Sequence, residues 1–319
     1  MTKRVYFIAG IVFLLTMTAL SLFIGAGHVK LVDLWSDSNM QQIFFVSRVS
    51  RTVALLLAGS AMSIAGLIMQ LLTQNRFVEP SLVGTTQSAS LGLLVMMVLA
   101  PGASVMMKML VASLFAMAGT VLFMFISRKI IFKTALMVPL IGMMLGAVIS
   151  AICTFFAMYF DLLQSLVGWE SGDFSGILQG RYELLWLVGG ITLFACWSAD
   201  RFTVAGLGRD FSVNVGLNYN QVMLTGLIVV ALIGGIVVVV VGVLPFLGLI
   251  VPNIVSLMFG DNVRKTIPWI CLFGSGLVLL CDIIGRVIRY PFEIPVSVIL
   301  GVVGAIIFLV LLSTKRHAS

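Results

Sequence analysis

Charge is what this sequence has least of. Asp, Glu, Lys and Arg make up only 10% of its 319 residues, against about 25% in a soluble domain whose surface must stay wet. So few charges do not cover a water-facing surface of this size, and lipid is the solvent for most of the chain. Histidine is scarcer still, present only as His28 and His317. The four cysteines, Cys153, Cys196, Cys271 and Cys281, fall inside apolar runs without C-x-x-C spacing. That excludes a disulfide framework and a zinc site, and leaves the thiols as small buried hydrophobes. No G-x-x-x-x-G-K-[ST] phosphate loop occurs, so the chain is not expected to hydrolyse ATP by that route. H-E-x-x-H and G-x-S-x-G are missing too, so neither a metalloprotease nor an esterase is expected. Asp282 is the one acidic residue clearly inside an apolar run. That is thin equipment for proton or sodium coupling, which needs an ion site near the midplane.

What is there is hydrophobic: 61% of residues, with a mean hydropathy of +1.18. Runs of about 20 apolar residues read as membrane spans. Ten fit, near 5–25, 52–73, 81–100, 104–127, 134–159, 182–198, 221–242, 244–259, 267–285 and 294–312. The expected fold is an all-α polytopic membrane bundle forming one domain over residues 1–319. The first run is longer than the h-region of a signal peptide and reads as a span. The eighth is short and carries Pro245 and Pro252, which predicts a broken helix whose freed backbone groups are taken up by protein. Small residues spaced for close helix packing recur at Gly59/Ser63, Ala61/Ala65, Gly142/Gly146 and Gly146/Ser150.

The net charge of +7 is scattered singly or in pairs between the apolar runs, which fits sorted loops and not nucleic-acid binding. With both termini in the cytoplasm, twelve basic residues fall inside and seven outside, and the flipped arrangement reverses the bias. Cysteines placed at Lys108 and Lys133 are then expected to label from outside and inside respectively.

Three polar features stand out from the apolar background. Arg48 and Arg51, then Arg286 and Arg289, lie on the outer side, where basic residues are disfavoured, and each pair is three apart on a helical face. Docking of an acidic extracytoplasmic protein accounts for them; snorkelling to lipid phosphate, with a local Asp282–Arg286 pair, is the alternative. Gln70, Asn75 and Phe77 cluster between the second and third spans, where polar groups narrow a pathway or simply close a turn at Pro80. The longest inner stretch, 199–220, holds Gly206-Leu207-Gly208-Arg209-Asp210 and Gly216-Leu217. It reads as short helices for a cytoplasmic partner or as a plain solvated loop.

Three stretches together resemble a known family. They are Arg48-Val-Ser-Arg51 with Ala58-Gly59, Gly66, Gln70, Asn75 and Glu79-Pro80; Gly242-Val-Leu-Pro-Phe-Leu-Gly-Leu-Ile-Val-Pro252-Asn253 with Gly260-Asp261-Asn-Val-Arg264; and Cys281-Asp282-Ile-Ile-Gly-Arg286 with Glu293-Ile-Pro295 and Gly301-Val-Val-Gly304. In that order, over almost the whole chain, they are similar to the FecCD-like permeases of ferric-siderophore and cobalamin ABC importers. The resemblance implies a permease dimer, with a heterodimer favoured, two cytoplasmic ATPases that use the ATP, and an extracytoplasmic binding protein. No cofactor is expected in this chain. It further implies that Arg48, Arg51 and Arg286 receive the binding protein and that Asn75 and Phe77, beside Gln70, form the inner gate. Gly208, Arg209, Asp210 and Gly216 would seat the ATPase.

The chain departs from the family pattern at several places. Ser50 and Arg76 stand at positions that are usually proline, Phe77 replaces a smaller aliphatic residue, and Asn253 replaces a common histidine. Gly208-Arg209-Asp210 stands for the usual Gly-Glu, and Ile306 for a proline. The expected cargo is a ferric siderophore. Cobalamin or haem import, and a stand-alone secondary transporter, are the competing readings.

Overall fold

The computed structural model describes residues 2–25, 38–129, 137–180 and 182–315. His28, Lys30, Lys133, Arg181, Arg316 and His317 lie outside them. The described residues are all-helical, as a chain in lipid requires when every backbone N–H and C=O must be satisfied within its own segment.

Each of the ten expected spans holds one apolar helix. They are α1 (Thr2–Phe23), α3 (Ser50–Thr73), α4 (Thr85–Leu99), α5 (Val105–Lys129), α6 (Met137–Tyr159), α8 (Leu184–Trp197), α11 (Tyr219–Val240), α12 (Leu247–Phe259), α13 (Val263–Ile288) and α14 (Val296–Lys315). Four short helices sit between them: α2 (Ser38–Ile43), α7 (Leu163–Glu170), α9 (Ala199–Gly206) and α10 (Arg209–Asn214). A single π-helical turn, Phe44–Val49, joins α2 to α3.

Six of these segments are long and apolar enough to cross a membrane, while α4, α8, α12 and the apolar part of α14 are shorter. At about 1.5 Å per residue α12 is roughly 20 Å long and α4 about 22 Å, both short of a hydrocarbon core of about 30 Å. The third and eighth spans are therefore completed by segments outside the α-helices, 74–84, which holds a 3-10 turn at Pro80–Leu82, and 241–246. The expected break at the eighth span is present. Pro245 precedes the helix, Phe246 takes a left-handed conformation (φ 62°), and Pro252 is carried inside α12. The break ahead of α4 was not expected.

The centre of the bundle is α3, packed against α8, α11, α12 and α13. Glycine sets how closely these helices cross. A Cβ at Gly59 would lie 2.7 Å from the Gly274 carbonyl oxygen of α13, and one at Gly66 would lie 2.0 Å from that of Gly248 in α12. Ser63, Ala61 and Ala65 are fully buried on the same helix. On α6, Gly142 and Gly146 back onto the segment ahead of α4, whereas Ser150 is exposed, so that last pair does not pack within the chain. Cys153 and Cys281 are buried, as expected of small hydrophobes, while Cys196 and Cys271 are half-buried.

Candidate functional site

The arginines near the starts of α3 and the end of α13 converge, but they face inward more than the sequence suggests. Arg48 lies in the π-helical turn and Arg51 in the first turn of α3. Arg51, 8% exposed, donates from Nε and Nη2 to Asp282 Oδ1 (3.1 and 2.7 Å) and from Nη1 to Glu293 Oε2 (2.6 Å). Arg286, 3% exposed, donates from Nη1 to the Ser21 and Ile24 carbonyls of the α1 end (2.8 and 2.7 Å), and pairs through Nη2 with Asp282 Oδ2. The Asp282–Arg286 pair read from i,i+4 spacing is thus present, and Asp282 is shared by both guanidiniums. Arg48 is half-buried and donates to the Ile24 carbonyl, while Arg289 is exposed at the end of α13. Three guanidiniums, those of Arg48, Arg51 and Arg286, face the two carboxylates of Asp282 and Glu293, and the cluster keeps one net positive charge. Buried charges cost several kcal/mol each to desolvate, so they persist only when paired and hydrogen-bonded in this way.

At the opposite end, α3 closes on Gln74 in a left-handed conformation (φ 52°), and the chain turns back toward the middle of the bundle. Asn75, 7% exposed, caps this turn by accepting the Phe77 N–H on Oδ1 at 2.9 Å. The half-buried Phe77 ring packs edge-on against Phe308 of α14, with centroids 6.1 Å apart, and Phe308 stacks in turn on Phe246 at 6.4 Å. Gln70 donates to the Gly248 and Leu249 carbonyls of α12 (3.2 and 3.4 Å). The three predicted pathway residues therefore do sit together, at the junction of α3, α12 and α14.

Glu79 is the residue that fixes this segment. It is 1% exposed and accepts the N–H groups of Phe246 (2.8 Å) and Leu249 (3.0 Å). Both donors lie at the start of α12, where a carboxylate is favoured, and the Leu249 N–H also reaches the Phe246 carbonyl at 3.2 Å. Gly66, which touches α12 at the same level, stands seven residues above the end of α3, or about 10 Å into the bundle.

The stretch 199–220 is structured. It forms α9 and α10, separated by Gly208 (φ 110°) and closed by Gly216 (φ 85°), both in conformations that favour glycine. Ser212 donates its hydroxyl to the Gly208 and Val204 carbonyls (2.7 and 3.0 Å), fastening one short helix to the other. Arg209 and Asp210 are exposed. So are the apolar side chains of Leu207, Phe211, Val213 and Val215, at 48–62% of their surface. A polar loop that presents four large hydrophobes has the composition of a contact surface.

The described residues thus hold a buried ion cluster at one end, a re-entrant segment held to a broken helix, and a helical loop with an apolar face. The FecCD transport family pattern matches residues 13–314. The chain belongs to the FecCD transport family. It is 46% identical over 310 residues to the petrobactin import system permease protein FatD of Bacillus anthracis, covering 97% of this chain and 91% of that one. It is 40% identical to the ferric-anguibactin transport system permease protein FatD of Vibrio anguillarum, covering 93% and 95%. The fold superposes with a TM-score of 0.82 on a metal-chelate type ABC transporter solved in an inward-facing conformation, at 23% identity, covering 98% of this chain and 99% of that chain.

Within this FecCD chain, sequence reasoning overlooked the acceptors. Glu79, Glu293 and Asp261 stand in the sequence only as members of motifs, with no partner indicated. The available signal was their rarity: in a chain with 12 acidic residues, one beside each polar feature is a partner to be placed.

Proposed function

We propose that this chain is the permease subunit of a binding-protein-dependent ABC importer that carries a ferric siderophore inward across the cytoplasmic membrane. Near full-length similarity to siderophore permeases, at 46% identity for the petrobactin protein, carries the reading. A vitamin B12 permease is 28% identical, which favours the siderophore over cobalamin. A second permease subunit completes the pathway, and the heterodimer is the preferred form. Both termini face the cytoplasm. In this arrangement Gln70, Asn75 and Phe77 line the inner gate, and Phe77 moves against Phe308. The face carrying Leu207, Arg209, Asp210, Phe211 and Val213, set by Gly208 and Gly216, seats the ATPase. Arg48, Arg51 and Arg286 provide the positive outer field that receives acidic groups of the binding protein, with Arg51 and Arg286 acting through the cluster rather than as free side chains.

The test is uptake of iron-loaded chelate into liposomes holding the complete complex. Uptake is expected to require ATP, both permeases and the binding protein, and to be lost when Gly208–Gly216 is deleted. Uptake of cobalamin in place of ferric chelate would overturn the cargo. Coupled uptake that survives the loop deletion would overturn the ATPase seat.

A further inference from the structure

Arg76 is gripped from three directions. Its carbonyl accepts the Asn253 side-chain amide at 2.7 Å, its Nη1 donates to Ser256 Oγ at 3.3 Å, and its Nη2 pairs with Asp261 Oδ2 at 2.8 Å. Ser256 donates in turn to the other Asp261 oxygen. Asn253 and Ser256 belong to α12, and Asp261 lies in the turn that joins α12 to α13, just after Gly260 (φ 87°). Arg76, between the gate residues Asn75 and Phe77, is thereby tied to a corner 185 positions away.

The coupling loop touches the same junction. A Cβ at Gly208 would lie 3.4 Å from the Gln74 side-chain amide, and one at Gly206 would lie 3.1 Å from Leu71. Asp200 of α9 faces Arg264 of α13 at 3.5 Å. A cavity of about 250 Å³ separates these parts and is lined by Gln70, Gln74, Asn75, Arg76, Asn253 and Asp261, among others. The space lets the parts shift relative to one another, and the polar contacts decide whether they shift together.

We propose that Arg76, Asp261 and Ser256 form a polar latch that makes the gate segment follow the α12–α13 corner when α9 and α10 move. Arg76 and Asp261 are positioning residues: they transmit displacement to Asn75 and Phe77 and do not touch cargo. The forked guanidinium suits the task because it reaches the serine and the carboxylate at once. Both side chains are substantially exposed, at 46% and 66%, so the latch is weak enough to open within a transport cycle. The inference rests on the importer reading above.

The experiment measures chelate transported per ATP hydrolysed by the complete complex in liposomes. Arg76→Ala and Asp261→Asn are each expected to lower that ratio by about two- to fivefold, the range open to an exposed ion pair, while ATP hydrolysis continues. A merely structural role would lower both rates together and leave the ratio unchanged. Exchanging the charges, Arg76→Asp with Asp261→Arg, is expected to bring the ratio back to within about twofold of the natural complex. Should Arg76→Ala fail to assemble, Asp261→Asn, conservative and exposed, decides alone. A natural ratio in the variants overturns the latch and leaves the importer standing. A natural complex that neither transports chelate nor couples ATP hydrolysis to it overturns the importer reading and the latch with it.

Discussion

Asp282 carries two arginines, and its removal is expected to be the most damaging single change in the buried ion cluster. Asp282→Ala leaves Arg51 and Arg286 adjacent, and Arg286 nearly buried, without their common counter-charge. Breaking a buried pair by deleting one partner costs about 3–5 kcal/mol. Glu293 is 22% exposed at its side chain and makes its ion pair with Arg51, so Glu293→Gln is expected to cost only about 1 kcal/mol. Thermal unfolding of the purified complex in detergent reads the order, and equal losses would mean that Asp282 is not the hub. The same geometry bears on docking. Reversing Arg51 would put a third carboxylate beside Asp282 and Glu293 and confound binding with folding. Arg48→Glu, at a half-buried site outside that shared pair, is the sharper substitution. It is expected to weaken binding-protein affinity at low salt by about two- to fivefold, with the difference fading as salt rises. Unchanged affinity at low salt would assign Arg48 to the lipid interface.

Among the elements, α12 depends most on its neighbours. It is short, contains a proline and begins inside the bundle, so its first N–H groups need Glu79 and its position needs a helix that comes close. Gly66 allows that approach. Gly66→Ala sets a methyl 2.0 Å from the Gly248 carbonyl oxygen, where backbone faces backbone and neither side has a flexible end to give way. The cost is expected at about 1–3 kcal/mol or more, with loss of assembled complex on size-exclusion chromatography. Gly168→Ala in α7 meets nothing within 4 Å and is expected to be neutral or slightly stabilising. Equal behaviour of the two variants would show that the α3–α12 crossing tolerates more separation than the structure displays.

For the whole molecule, the proposed orientation rests on the charge bias, twelve basic residues inside against seven outside. Lys133 lies outside the described residues, so exposed positions on defined elements make better reporters: Gly102, ahead of α5, and Asp210, on α10. In a variant whose natural cysteines are replaced, Gly102→Cys is expected to react with a membrane-impermeant maleimide added outside cells. Asp210→Cys is expected to react only after the membrane is opened. The reverse pattern would invert the gate, the ATPase seat and the docking end together, since all three assignments share this orientation.

The sequence by itself determined the solvent, the class and the number of apolar helices, because these depend on composition and on runs of neighbouring residues. It also determined the family, because motif order survives without knowledge of contacts. The Asp282–Arg286 pair was legible for the same reason: its members are one helical turn apart. What only the tertiary structure decided are the partnerships across the chain. Arg51 meets Asp282 over 231 positions, and Glu79 meets Phe246 over 167. Arg76 meets Asp261 over 185. No local pattern encodes such a pairing, because any of the scarce acidic residues suits any arginine until helix packing brings one pair within about 3 Å. In a medium without water, that packing turned arginines that the sequence showed only as outward charges into buried partners, and a glutamate at the edge of a turn into the cap of a broken helix.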